Sequence, residues 1–210
     1  MAPGPDAVAG ERPGPGRPST GARERILAAG LEVLKAEGYA GLTTAKVAAR
    51  SGQNKALISY HFGSKDGLVT AVGREVGHSI TAEVVQELGE PRTVEELVGG
   101  VLDGLWRVMD GDERLARLYF DLAAVSVVEP EVRVVMQEIK AGFRRVLIEL
   151  LLATDDGPRK RRAEAAAVYV IAGVEGLALE RLDRGETPAL RRAMEMFVRA
   201  APAALSDAAA

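Results

Sequence analysis

Cysteine is absent from the 210 residues, histidine occurs only twice, and aromatic side chains make up 4%. Without thiols the chain can hold no disulfide, no thiolate zinc site, no iron–sulfur cluster and no cysteine nucleophile. His61 and His78 leave little scope for an imidazole metal site or a histidine-based triad, so neither a metal nor a cofactor is expected. No apolar run reaches the length of a membrane span, and the amino terminus lacks the apolar stretch of a signal peptide. A soluble, cytoplasmic product without membrane contact is the expectation. Neither sign of charge dominates: 27 basic against 30 acidic residues leave a net charge of −3. That balance argues against a protein that coats nucleic acid along its whole length, but a net value hides asymmetry.

What is present divides the chain. Residues 1–19 interleave prolines and glycines, a composition that neither bonds regularly nor buries apolar surface, so a disordered tail is expected there. Its Arg12 and Arg17 could brush a DNA backbone or minor groove, as N-terminal arms do. Residues 1–75 carry ten basic and seven acidic side chains, whereas the remainder carries seventeen and twenty-three. A mildly basic head on an acidic body suggests that only the head meets a polyanion.

Beyond the tail the periodicity is helical throughout, with no convincing alternating strand. Ile26, Leu27, Gly30, Leu31 and Leu34 mark one face of a helix over 20–37, which Gly38 ends. Short helices are expected over 44–51 and 55–61. Leu68, Val72, Val76, Ile80, Val84 and Leu88 then recur every four residues, and Ser64 is placed to cap this long helix. Thr93 and Glu96 form a capping box for a helix to about 109. Pro130, Pro158 and Thr187-Pro188 open later helices, which gives 112–128, 130–153, 158–184 and 187–204. The predicted fold is all-α with about nine helices.

Residues 43–62 have the spacing of a helix-turn-helix. Ala48 is small where two short helices must cross, Gly52 four positions later tolerates the tight turn, and Ile58 can lock the second helix onto the first. Val47, Leu57 and Phe62 complete a mini-core with Leu27, Leu31 and Leu34. Asn54 can cap the second helix and leave its first-turn N–H groups and Lys55 facing outward, an arrangement that suits phosphate oxygens and base edges. Tyr60 reads as a phosphate contact, because Leu57 and Ile58 already fill the inward stripe. His61 could touch a phosphate or simply pack before Phe62. Lys46 and Arg50 could face the DNA backbone or only solvent.

The pieces RERILAAGLEVLKAEGYAGLTTAKVAARSG and HFGSKDGL make residues 20–80 resemble the TetR family of bacterial transcriptional regulators. The resemblance implies a homodimeric DNA-binding repressor that reads a near-palindromic operator and whose body, 81–210, binds a small effector and dimerises. Thr43 and Thr44 match the family's phosphate-contacting start of the second helix. Gln53, Asn54 and Lys55 match the turn and the head of the recognition helix, and Lys65 matches the lysine opening the fourth. The family's usual Val-Ser in the turn is Gln53-Asn54 here, and its usual recognition-helix tyrosine is Ser59, with Tyr60 beside it.

The body carries no motif of that specificity. Trp106, Met109, Phe120, Met136 and Phe143 lie on apolar helical faces and could line a cavity for an apolar or amphipathic effector, with Asp121, Tyr169 or Glu175 as polar fixtures. An ordinary core would look the same. The segment 163–180 is apolar nearly all round and must be covered on two sides. Ala167, Gly173 and Gly176, with Leu190, Met194 and Phe197 of the last helix, are the expected dimer surface. Two other readings remain: a DNA-binding regulator without a small ligand, and an all-α enzyme. The latter lacks a Gly-rich phosphate loop or a nucleophile elbow.

Overall fold

The computed structural model describes residues 21–205, the side chain of residue 87 excepted. The proline-rich leader with Arg12 and Arg17 lies outside them. Among the described residues there are nine α-helices, one short 3-10 turn and no strand. The helices are α1 Ala22–Gly41, α2 Thr44–Ser51, α3 Lys55–Phe62, α4 Lys65–Leu88, α5 Val94–Gly111, α6 Glu113–Val125, α7 Pro130–Ala153, α8 Ala163–Arg184 and α9 Pro188–Leu205. No helix among them is long and apolar enough to cross a membrane.

Cap chemistry sets most boundaries as the sequence suggests. Ser64 accepts from the Gly67 N–H at 3.0 Å, and Thr93 and Glu96 close a reciprocal box at the start of α5. Thr187 accepts from the Leu190 N–H at 3.1 Å. Three boundaries differ. Helix α1 continues past Gly38 to Gly41, but Gly38 itself sits at φ 68°, so the expected break survives as a kink. Helix α6 stops at Val125 rather than 128, because Arg133 reaches back to the Ser126 and Val127 carbonyls at 3.1 and 2.9 Å and holds a turn there. Pro158 does not open α8; a 3-10 turn, Lys160–Arg162, intervenes.

Two buried clusters organise the molecule. The first joins Ile26, Val33 and Leu34 of α1 to Val47, Ile58, Leu68 and Val72, and continues through Leu115, Leu118 and Leu122 of α6 into Val132, Val135, Met136 and Ile139 of α7. The hydrophobic core therefore does not divide near residue 80. The second cluster packs α5 against α8, α9 and the end of α7 through Leu97, Leu102, Trp106, Leu151, Val170 and Leu190. Leu27, Leu31, Leu57 and Phe62 join the mini-core partly buried, packed on Ile26, Val33, Leu34, Val47 and Ile58, which are buried.

Glycines mark where the long helices approach most closely. A Cβ on Gly77 would come within 2.9 Å of Ile139, and one on Gly104 within 3.0 Å of the Val84 Cα. Helix α4 is thereby clamped between α5 and α7. Arg74 of α4 adds a bidentate pair with Glu138 of α7, at 2.6 and 2.8 Å, which holds the Glu138 carboxyl below its usual range.

A second polar tie links the N-terminal helices to the body. Lys35 of α1 donates to Asp112, the residue between α5 and α6, at 2.6 Å. That hydrogen bond, followed by the ammonium's charge, lowers the Asp112 pKa despite opposing desolvation. A carboxylate whose folded pKa lies below its unfolded one adds stability above the unfolded value and loses it as pH falls through the folded one. Lys35→Met should therefore lower stability at neutral pH and flatten the acid limb of thermal stability below about pH 4. Thermal unfolding followed against pH measures it, and an acid limb identical to that of the parent would remove the assignment.

Candidate nucleic-acid interface and body cavity

The turn between α2 and α3 depends on Gly52, whose φ of 67° lies in the left-handed region that other residues reach only at a cost. On either side the capping is local. Thr43 accepts from the Lys46 N–H at 3.3 Å, and Asn54 from the Leu57 N–H at 2.8 Å. Both side chains thus serve helix starts. Gln53 is half-buried and folds back on Ser51, its backbone N–H donating to the hydroxyl at 3.3 Å and its amide to the carbonyl at 3.4 Å.

The recognition helix turns one side inward. Ile58 is its buried residue, while Lys55, Ser59 and Tyr60 point out, with Tyr60 71% exposed. Lys55 makes no ion pair among the described residues. Thr44 is half-buried at the start of α2. His61 is also half-buried; its ring meets Tyr60 edge-on at 5.2 Å, and its Nε2 is buried without a hydrogen-bond partner. Lys46 and Arg50 are engaged by carboxylates of α1, Lys46 by Glu37 and Arg50 by Glu32 at 3.7 Å. Lys46 could turn to DNA only by releasing Glu37, which sequence reasoning had no means to see.

Lys65 opens α4 with its ammonium 5.1 Å from the centre of the Tyr39 ring. Arg23 lies 5.6 Å over the Phe62 ring. Tyr39 and Arg23 were not among the residues expected here. The Gly38-Tyr39 pair was legible as a motif, but the kink that turns Tyr39 toward α4 was not.

A cavity of about 120 Å³ lies in the body. That is room for a few waters or the core of a small organic molecule. Met109, Phe120, Phe143 and Glu175 line it; Trp106, Asp121, Met136 and Tyr169 do not. Trp106 is buried in the second cluster, under the Arg181 guanidinium at 5.2 Å. Met136 faces the first cluster, Asp121 faces solvent, and Tyr169 stacks on Phe197 at 5.5 Å. Apolar periodicity identifies an inward side, but not which of two interiors that side meets. Helix α4 contributes Ile80, Val84 and Leu88 to the wall, and α6 contributes Ala116 and Tyr119.

Glu175 is the one charged side chain of this wall among the described residues. It accepts from the Tyr119 hydroxyl and from Lys140 Nζ at 2.9 Å. Burial first, and then the Glu175 carboxylate, push the Tyr119 phenol far above its usual range. It therefore stays a donor at any working pH. Tyr119 and Lys140 stand 56 and 35 residues from Glu175 in the chain, so no local pattern announces either partner.

The proposed dimer residues divide as well. Ala167 and Leu190 are buried within the chain, the face of Gly173 is filled by Phe197, and Met194 and Phe197 pack half-buried on the second cluster. Gly176 remains open, with nothing near the position of a Cβ. Met196 of α9 is 71% exposed, while Val168 at 49% exposure, Ala172 and Leu179 at 53% stand at helical spacing on the same face of α8. These alternate with the inward residues at helical spacing.

Known proteins resemble the chain in both parts. Residues 26–72 match the model described as bacterial regulatory proteins, tetR family, and residues 108–206 match that of the BetI-type transcriptional repressor C-terminal domain. The HTH-type transcriptional regulator BetI 1 of Chromohalobacter salexigens is 26% identical over 53% of this chain and 55% of its own length. The HTH-type transcriptional repressor AcnR of Corynebacterium glutamicum is 32% identical over 46% of this chain and 45% of its own. The chain thus spans about half the length of the curated relatives it matches. Over the whole fold it superposes on the multidrug binding protein EbrR complexed with imidazole, with TM-score 0.68, 25% identity and 87% and 90% of the two chains covered. A TetR-family member from Streptomyces coelicolor gives TM-score 0.66 and 26% identity, with 85% and 96% covered. Matched over its helix-turn-helix and again over its helical body, the chain belongs to the TetR family of bacterial regulatory proteins.

Proposed function

We propose that this chain is a sequence-specific DNA-binding transcriptional repressor that acts as a homodimer and leaves its operator when a small molecule enters the body cavity. The observation that carries the DNA-binding part is the recognition helix: Ile58 and the Asn54 cap fix it, and Lys55, Ser59 and Tyr60 are left facing outward. Such a helix can enter the major groove, with Lys55 and Lys65 at flanking phosphates and Thr43, Thr44 and Gln53 at the rim. EbrR, a structural relative, is described as a multidrug binding protein, and its complexes include proflavin and ethidium. This supports an effector role for the cavity here.

The switch would run through two elements. Helix α4 lines the cavity with Ile80, Val84 and Leu88 and reaches the helix-turn-helix core with Leu68 and Val72. Helix α6 lines it with Ala116, Tyr119 and Phe120, while Leu115, Leu118 and Leu122 pack into the N-terminal core. A shift of either on ligand entry changes the separation of the two recognition helices in a dimer. Operator and effector should then weaken each other by the same factor, about 5 to 150 for ordinary couplings.

The test is selection of duplexes from a random-sequence pool, followed by binding of the winner at several salt concentrations. Lys55→Ala and Lys65→Ala should each lower the salt slope by about one per protomer, hence about two for the dimer on its operator, since each lysine neutralises one phosphate. Enrichment of no sequence, or unchanged slopes in both folded variants, would sink the docking.

A further inference from the structure

We propose, resting on the DNA-binding reading above, that Glu37 of α1 is a specificity-determining residue that acts through Lys46: its carboxylate withholds the Lys46 ammonium from phosphates of random DNA and yields it only at the operator. The basic side chains of the helix-turn-helix fall into two groups. Lys46 and Arg50, one turn apart on α2, face carboxylates of α1, Lys46 bonding to Glu37 and Arg50 lying 3.7 Å from Glu32. Lys55 is exposed without an ion pair among the described residues, and the Lys65 ammonium lies 5.1 Å from the centre of the Tyr39 ring. A ring face attracts an ammonium without occupying an oxygen's share of its three N–H donors, so Lys65 can still bond a phosphate. A carboxylate takes a donor and cancels the charge. Helix α2 therefore offers phosphates its Thr43 cap and first-turn N–H groups, but no uncompensated cation.

The end of α1 is shaped for this grip. Glu37 directly precedes Gly38, whose φ of 68° kinks the helix. A Cβ on Gly41 would come within 3.0 Å of the Glu37 carboxylate, so its absence leaves that side chain the space it fills. The residues on either side of the kink thus take hold of different lysines, Glu37 of Lys46 on α2 and Tyr39 of Lys65 on α4.

The pair is strong enough to hold and weak enough to break. The two side chains are 47% and 41% exposed, and ion pairs so open to water add little to stability. A phosphate fixed beside Lys46 can therefore displace the carboxylate. On random DNA the protein docks in many registers and no phosphate stays there, so the tethered carboxylate keeps the lysine. At the operator, base contacts of α3 fix the register and hold one phosphate in place. Lys46 then adds to operator affinity and not to random binding. A sequence-blind contact becomes part of the discrimination.

The full-length protein is titrated with two duplexes, the one enriched by selection and a scrambled version of it, at several salt concentrations. Glu37→Gln should steepen the salt slope on the scrambled duplex by about one per protomer, because Lys46 is freed there. Between about 200 and about 50 mM salt, its affinity for that duplex should then rise about tenfold more than the parent's. Its slope on the selected duplex should stay parental, so the preference between the two narrows. Lys46→Met in the parent should lower the slope on the selected duplex alone, and in the Glu37→Gln background on both. That dependence on Lys46 is what a pair merely pinning α2 to α1 would not produce; such a pair would lower the melting temperature of both variants and leave the slopes in step. Parental slopes of folded Glu37→Gln on both duplexes would overturn the inference. Weaker binding of that variant to both would overturn it in the other direction, with Glu37 presenting Lys46 to phosphate. Either result leaves the DNA-binding reading intact. A parent that does not distinguish the two duplexes would end that reading and the inference with it.

Discussion

Gly176→Arg is expected to give a folded monomer with poor operator affinity. The position is open: a Cβ there meets nothing, so the chain accommodates the side chain without repacking. Glycine inside a helix costs roughly 1 kcal/mol against a good helix former, so α8 itself should gain slightly. The effect falls on what covers the face. Val168, Ala172 and Leu179 share the Gly176 face of α8 and are apolar yet exposed in the single chain. If two copies meet there about a two-fold axis, two arginines are buried near each other without partners. An unpaired buried charge costs about 3–5 kcal/mol, which weakens dimerisation by two to four powers of ten. A dimer reads two half-sites at once, so operator affinity should collapse while the melting temperature at low protein concentration holds. Sedimentation and operator titration read the two quantities. A variant still dimeric at micromolar concentration, with full operator affinity, would place the interface elsewhere.

The residues of that face show how far the sequence could be read. Apolar residues nearly all round α8 predict cover on two sides, and the small residues point to the outer one. Small residues also permit close packing inside a chain. Gly173 meets Phe197 and Ala167 enters the core, while the larger Val168 and Leu179 are left outside. The helix-turn-helix was far more legible. Its positions are fixed by local demands, namely a positive φ at Gly52, a cap at Asn54 and an inward Ile58, and each is a property of one residue type at one spacing. Cavity lining depends on how distant helices rotate against one another. Phe120 and Phe143 reach the cavity but Trp106 does not, though all three stand on apolar faces. The Lys46–Glu37 and Lys140–Glu175 pairs join elements distant in sequence, and no local pattern announces them.

Ile58→Ala should cost about 2–5 kcal/mol of stability, the usual range for deleting a buried branched side chain down to its Cβ. Helix α3 has eight residues, too few to persist alone in water. Ile58 is its fully buried anchor, set among Ile26, Leu34, Val47 and Leu68. Because that cluster continues through Leu118 and Leu122 of α6 into Val135 of α7, the loss should lower the melting transition of the whole N-terminal half and not fray one helix. Operator affinity should fall with it, since the outward side chains lose their fixed geometry. Lys55→Ala supplies the contrast: the side chain is exposed, so affinity should drop with the melting temperature unchanged. Ligand binding separates the two interiors. The cavity wall is built mainly on helices of the second cluster, so below its melting point Ile58→Ala should bind a cavity ligand as the parent does. An Ile58→Ala protein with parental stability and parental operator affinity would show that something other than this anchor positions the recognition helix.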